Sequence, residues 1–247
     1  IKALRPCGNG VTKQVQKQLK ASLGVFYAQP WRWDGEEHVV VTETYKTSCA
    51  RFPGDLCCGE GSPGLWRPIR SRLLSETADL DMKVAMPAIL LWICTQFDIA
   101  CPQLEWYVNH RDEVLTKLMT DDGCSRPYAK EQFNIPWTWD QKLRGSKSQF
   151  LKDYDAEAKR IQPKLMARPE LQWVLAFCEP EGSKNRAGCF IAKLWHFPLA
   201  RLMQRVMHLV EHEEGEQVAC VVHDGFNIAN PARHDDEPLL VRCKAAC

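Results

Sequence analysis

Four side chains carry the chemistry this sequence can offer: Asp81, Arg126, Lys130 and Asp224. Asp224 follows the apolar run Val218-Ala219-Cys220-Val221-Val222 and precedes Gly225-Phe226-Asn227-Ile228, so it falls at the tip of an expected hairpin, because β-branched runs make strands and Asp-Gly makes tight turns. Asp81 sits where the alternation around Leu80 and Met82 gives way to the unbroken apolar segment after Pro87, a strand-to-helix junction. Arg126 and Lys130 are four apart and share one helix face. Transfer of a nucleotidyl group takes two carboxylates that hold a pair of Mg²⁺ ions roughly 4 Å apart, with cations to neutralise a triphosphate. Aspartates suit this hard ion, Mg²⁺ or Mn²⁺, while Lys supplies a point charge and Arg a planar fork for phosphate.

The elements that must position these residues follow from periodicity. Val11, Val15, Leu19 and Leu23 predict an amphipathic helix over 11–27. From Gln29 to Leu65, Pro, Trp, Gly and Cys punctuate short runs such as His38-Val39-Val40-Val41-Thr42, an irregular region with one or two strands. Gly59 to Gly64 reads as a linker, which divides the chain into an N-terminal mixed segment (1–63) and a larger unit (64–247). That unit opens on Trp66 to Leu74, a short helix bearing three Arg. Cys101 to Met119 is expected as a helix pair with Leu104, Val108, Val114, Leu115 and Leu118 inward. Ser125 is a candidate N-cap for the next helix, with Pro127 in its first turn. Ser148 to Met166 is a long charged helix with Phe150, Leu151, Tyr154, Ile161 and Leu165 inside. Residues 180–188 read as a loop, and Phe190 to Glu213 as a helix bent or broken by Pro198. The fold class is therefore α+β, with a small antiparallel sheet carrying Asp81 and Asp224 on neighbouring strands.

Composition sets outer limits. A chain of 247 residues, 45% hydrophobic and 26% charged, can bury a substantial core. Its formal net charge of +1 neither favours nor excludes nucleic acid, since 32 Lys and Arg can still gather on one face. Twelve Cys are scattered without a Cys-x-x-Cys, the pattern of reduced intracellular thiols more than of a disulfide framework. Whether that setting is nucleus, cytoplasm or virus-related is left open. The N-terminus has neither an initiator Met nor a signal-peptide core, as in a fragment, and the longest apolar run, Val84 to Cys94, is too short to span a bilayer. A soluble protein without a membrane partner is expected.

In order along the chain, these pieces resemble the palm and fingers of DNA polymerases, most closely the polymerase I-like (A) family. Asp81-Met82-Lys83-Val84-Ala85-Met86-Pro87 resembles motif A, with Pro87 as in the B-family version. Arg126-x-x-x-Lys130 followed by Phe133-Asn134-Ile135 resembles motif B, and Val221-Val222-His223-Asp224-Gly225 the hairpin of motif C. The resemblance covers about Gly64 to Ile228 and implies a template-directed DNA polymerase. Its metals, Mg²⁺ or Mn²⁺, would lie between Asp81 and Asp224, its triphosphate against Arg126 and Lys130, and its partners would be primer-template DNA and deoxynucleoside triphosphates. Met86 stands where such enzymes crowd the sugar's 2′ position, and ordinary core filling is the other role open to it; His223 reads as a packing or hydrogen-bonding residue. The sequence departs from the family in three places: Gly225 replaces the usual Glu, motif A lacks the Ser-Gln-x-Glu continuation, and Pro136-Trp137-Thr138-Trp139 replaces the late aromatic and Gly of motif B. Two other classes remain: a catalytically inactive polymerase-derived nucleic-acid-binding or scaffold domain, and an unrelated α+β interaction domain in which both Asp are strand-end caps.

Overall fold

The computed structural model describes residues 31–33, 39–41, 46–49, 52–57, 77–138, 145–178, 185–213, 217–222 and 225–229. Their elements are, in order, β1 (Trp31–Trp33), β2 (Val39–Val41), β3 (Lys46–Cys49), β4 (Phe52–Cys57), β5 (Thr77–Asp81), α1 (Ala85–Gln96), α2 (Pro102–Asn109), α3 (Arg111–Asp122), α4 (Arg126–Thr138), α5 (Gln149–Met166), a 3₁₀ turn (Pro169–Leu171), α6 (Gln172–Ala176), α7 (Arg186–His208) running into a π-helical turn (Leu209–Glu213), β6 (Val218–Val222) and β7 (Gly225–Ala229). Helices thus predominate, with small sheets, as an α+β class requires. Among the described residues, the segment expected to hold one or two strands contains four, paired as β1 with β2 and β3 with β4. The helix expected over 11–27, the linker Gly59–Gly64, the Arg-bearing helix from Trp66 and the boundary after residue 63 lie outside the described residues.

The chain divides into two compact units, one built from 1–49, 56–81 and 203–247, the other from 50–55 and 82–202. In the first, three strands lie in the order β5-β7-β6, antiparallel throughout. Central β7 alternates, with Phe226 and Ile228 buried to 2% and 0% exposure, and in the register Leu80 and Ala78 of β5 pair with them. Irregular register between Val218 and Cys220 marks a bulge in β6.

In the second unit, α1 packs on α2, α2 on α3 and α5, α3 on α4, and α4 on α5. Its centre is aromatic: Tyr107 stacks on Phe133, and Tyr154 meets Tyr107, Phe133 and Trp137 edge-on, geometries that the ring quadrupoles favour. The polar atoms of this core are matched, since Trp137 Nε1 donates to the Tyr154 hydroxyl at 2.8 Å. Buried Glu157 of α5 accepts the backbone N–H groups of Gln103 (3.2 Å) and Leu104 (2.9 Å), so a carboxylate satisfies donors that helix α2 leaves open at its N-terminus.

Helix starts follow local chemistry. Ser148 caps α5 by accepting Leu151 N–H, and Leu151, Tyr154, Ile161 and Leu165 are fully buried, as the pattern predicts, with Phe150 half-buried. In α2 the inward place belongs to Tyr107, and Val108 is only half-buried, because the α2–α5 contact turns the helix toward the aromatic cluster. Residues 186–188, expected in a loop, are helical: Asn185 Oδ1 accepts the Gly188 N–H at 2.8 Å and starts α7 four residues early. Helix α7 then continues through Pro198, where a bend or break is expected. Among the described residues no helix is long and apolar enough to cross a membrane.

Candidate functional site

Asp81 is the last residue of β5 and pairs with Gly225, the first residue of β7. Val222, the last residue of β6, pairs with the same Gly225, so His223 and Asp224 are the two residues between the paired ends of the hairpin. Asp224 and His223 themselves lie outside the described residues. The register makes β5, which carries Asp81, the direct neighbour of the strand that Asp224 precedes.

Gly225 explains how closely these strands meet. A Cβ at this position would stand 2.5 Å from the Leu80 carbonyl oxygen and 3.2 Å from both Cα and Oδ1 of Asp81. Real Cβ atoms do not approach backbone that closely, so the strand pairing requires glycine here. The Glu usual at this place in the resembled family has no room for its own Cβ. The same short contact puts the exposed Asp81 carboxylate alongside the start of β7, with Oδ1 over Gly225.

Three residues beyond Asp81, Val84 has φ 61° and ψ 34° and is the N-cap of α1, its carbonyl accepting Ala88 N–H at 2.9 Å. A β-branched residue in the left-handed region is strained, a cost of about 1–3 kcal/mol that surrounding structure must hold in place. Met86 lies in the first turn of α1, 8% exposed.

Arg126 is the first residue of α4, and Ser125 contributes the carbonyl that accepts Ala129 N–H at 2.9 Å. The Arg126 guanidinium is ion-paired with Asp112 of α3, with side-chain exposures of 43% and 84%. The Asp112 carboxyl is held below the usual carboxylate range, first by the hydrogen bond from Arg126, then by the charge of Arg126, with Arg111 and Lys83 adding to it. Burial raises the pKa of the Tyr107 phenol, opposed by the nearby charge of Arg111. The Arg111 Nε is buried without a hydrogen-bond partner. Asp112 is thus in direct contact with Arg126 and feels the charges of Arg111 and Lys83, and Arg111 keeps one unused buried donor. Lys130, one turn beyond Arg126, is exposed. Chemically, such a cluster can bind a phosphate by exchanging it for Asp112, an exposed partner held only weakly.

Sequence reasoning picked Arg126 from this cluster but missed Lys83, Arg111 and Asp112. Lys83 was legible only as part of the Asp81 stretch, and Arg111 follows His110 at the join of α2 and α3, where nothing in spacing distinguishes it from a solvated cation. Among the described residues no three His, Cys, Asp or Glu side chains converge as a metal site. No protein-family model, no curated protein and no solved structure matches the chain.

Proposed function

We propose that this chain is a nucleotidyltransferase of the DNA-polymerase type, adding deoxynucleotides to a primer on a DNA template. The observation that supports the reading is the register Asp81↔Gly225, which pairs Asp81 with the residue that follows Asp224 in sequence. In this reading the β5-β7-β6 sheet is palm-like and the helices after Asp81 are fingers-like.

Mg²⁺ or Mn²⁺ fits the donors in kind, because Asp81 presents an exposed carboxylate at a strand end and hard ions prefer oxygen. When bound between Asp81 and Asp224, such ions supply charge neutralisation at the reacting phosphoryl group. The chain's own residues do the rest. Arg126 releases Asp112 to form a two-pronged hydrogen bond with a phosphate, the unused Nε of Arg111 offers a further donor, and Lys130 adds a point charge. The sheet backbone holds Asp81 still, since its position is set by ladder pairing and not by a flexible loop.

The replacement of a carboxylate by Gly225 favours a second reading, a polymerase-derived domain that binds nucleic acid or nucleotide without turnover. Primer extension with Mg²⁺ or Mn²⁺, run on the parent, Asp81→Asn and Asp224→Asn, separates the two. Active parent protein and a loss of roughly 100-fold or more in each variant is the expected result. Nucleotide binding without extension in the parent establishes the inactive derivative, and undiminished extension in Asp224→Asn overturns the site.

A further inference from the structure

A cavity of about 140 Å³ lies within the helical unit, where the end of α3, the first two turns of α4 and residues 145–147 ahead of α5 meet. The polar groups on its loop side are occupied with one another. Ser146 donates its hydroxyl to Asp122 Oδ2 at 2.7 Å, Lys147 N–H donates to Asp122 Oδ1 at 2.7 Å, and the Ser146 oxygen accepts Ser148 N–H at 3.1 Å. Both carboxylate oxygens of Asp122 thus hold the loop in place. Gly145, at φ 73°, enters it in the left-handed region, where a side chain would be strained.

The α4 side is different. Tyr128 and Gln132 are four apart on that helix and share one face. Gln132 is only 7% exposed and lines the cavity, yet among the described residues its amide has no hydrogen-bond partner. A buried amide left unmatched is unfavourable, and a ligand that brings a matching donor and acceptor removes the penalty. Tyr128, 49% exposed, and exposed Lys147 stand where the cavity meets solvent.

We propose that this cavity binds a pyrimidine base, from a free nucleoside or from an unpaired position in a nucleic-acid strand. The ligand class rests on the nucleotide chemistry proposed above. Size selects the ring, since a cavity of about 150 Å³ holds one six-membered aromatic ring, and a purine needs more room. The pairing edge of a pyrimidine sets a donor beside an acceptor, as the primary amide of Gln132 does, so two hydrogen bonds join them in one plane. Tyr128 offers a ring face on which the base stacks at the open side. The Lys147 ammonium suits a phosphate carried on the sugar.

Titration calorimetry of the whole chain with thymidine, deoxycytidine and deoxyadenosine tests the site, with oligo(dT) and oligo(dC) as the strand forms. A pyrimidine should bind and deoxyadenosine should not, and both Gln132→Leu and Tyr128→Ala should weaken the pyrimidine about tenfold or more. Tyr128 is exposed, so its variant decides the matter if Gln132→Leu fails to fold. Oligonucleotide binding far tighter than that of its nucleoside, and weakened by the same variants, identifies the strand as the source; equal affinity per base identifies the free nucleoside. Absence of pyrimidine binding in either form, deoxyadenosine binding as tight as that of the pyrimidines, or undiminished affinity in Tyr128→Ala overturns the site. Pyrimidine binding in a parent protein that extends no primer leaves this site standing while refuting turnover, and extension without pyrimidine binding here does the reverse.

Discussion

The three-stranded sheet and the helical unit hold their chemistry-bearing residues by different means. Asp81 is positioned by backbone: its ladder partner is Gly225, and the closeness of β5 and β7 leaves no space for a side chain there. Arg126 is positioned by side chains, an exposed ion pair to Asp112 above a core of Tyr107, Phe133 and Tyr154. A backbone-set residue is precise and intolerant of its neighbour's substitution. A residue set by ion pairing is exchangeable, which suits the phosphate-binding role proposed for Arg126.

The sharpest way to break this contrast is Gly225→Ala. The added methyl must push the Leu80 carbonyl away, and Asp81 moves with it; a displacement of about 1 Å at a reacting group lowers a rate roughly 100-fold, so primer extension should fall about that far while the helical unit keeps its near-ultraviolet circular dichroism. Unaltered extension would mean that the strand register does not position the site.

Glu157→Ala tests the other unit. It leaves the Gln103 and Leu104 N–H groups without their buried acceptor, and denaturant unfolding should show a loss of about 2 kcal/mol, with nucleotide chemistry affected only through stability. A loss no larger than that of an exposed control such as Glu113→Ala would show that Glu157 is not the cap that orders α2.

Smaller again is Arg126→Ala. Removing one charge-assisted phosphate contact should weaken deoxynucleotide binding about tenfold, as read by titration calorimetry, and should return the Asp112 carboxyl toward its ordinary range. Because Asp112 is fully exposed, unfolding experiments should barely register the change.

The mildest perturbation is alkaline pH. Burial raises the Tyr154 phenol well above its ordinary value. A raised folded-state pKa means that the stabilisation is complete below the unfolded value, about pH 10, and is lost as pH climbs from there toward the folded value, because only the unfolded chain releases the proton. Unfolding free energy should therefore start to fall near pH 10, and Tyr154→Phe should flatten that fall even though it leaves Trp137 Nε1 without its acceptor. An equal alkaline slope in both proteins would remove Tyr154 as its source.

Residue order alone determined the local elements wherever periodicity and capping agree. Helix α5 was legible because Ser148 caps it and Leu151, Tyr154, Ile161 and Leu165 repeat at helical spacing, and the β6–β7 hairpin because a β-branched run meets Asp-Gly. Tertiary structure alone decided what lies beside what. That Asp81 pairs with Gly225 is a long-range register that no local window contains, and the need for glycine there exists only once β5 is laid against β7. The pairing of Arg126 with Asp112, and the influence of Arg111 and Lys83 on that carboxylate, was hidden for the same reason, since charges distant in sequence carry no shared pattern until packing brings them within reach of one another. Glu157 looked like one more surface carboxylate of a charged helix, and only the packing of α2 against α5 turned it into a buried cap.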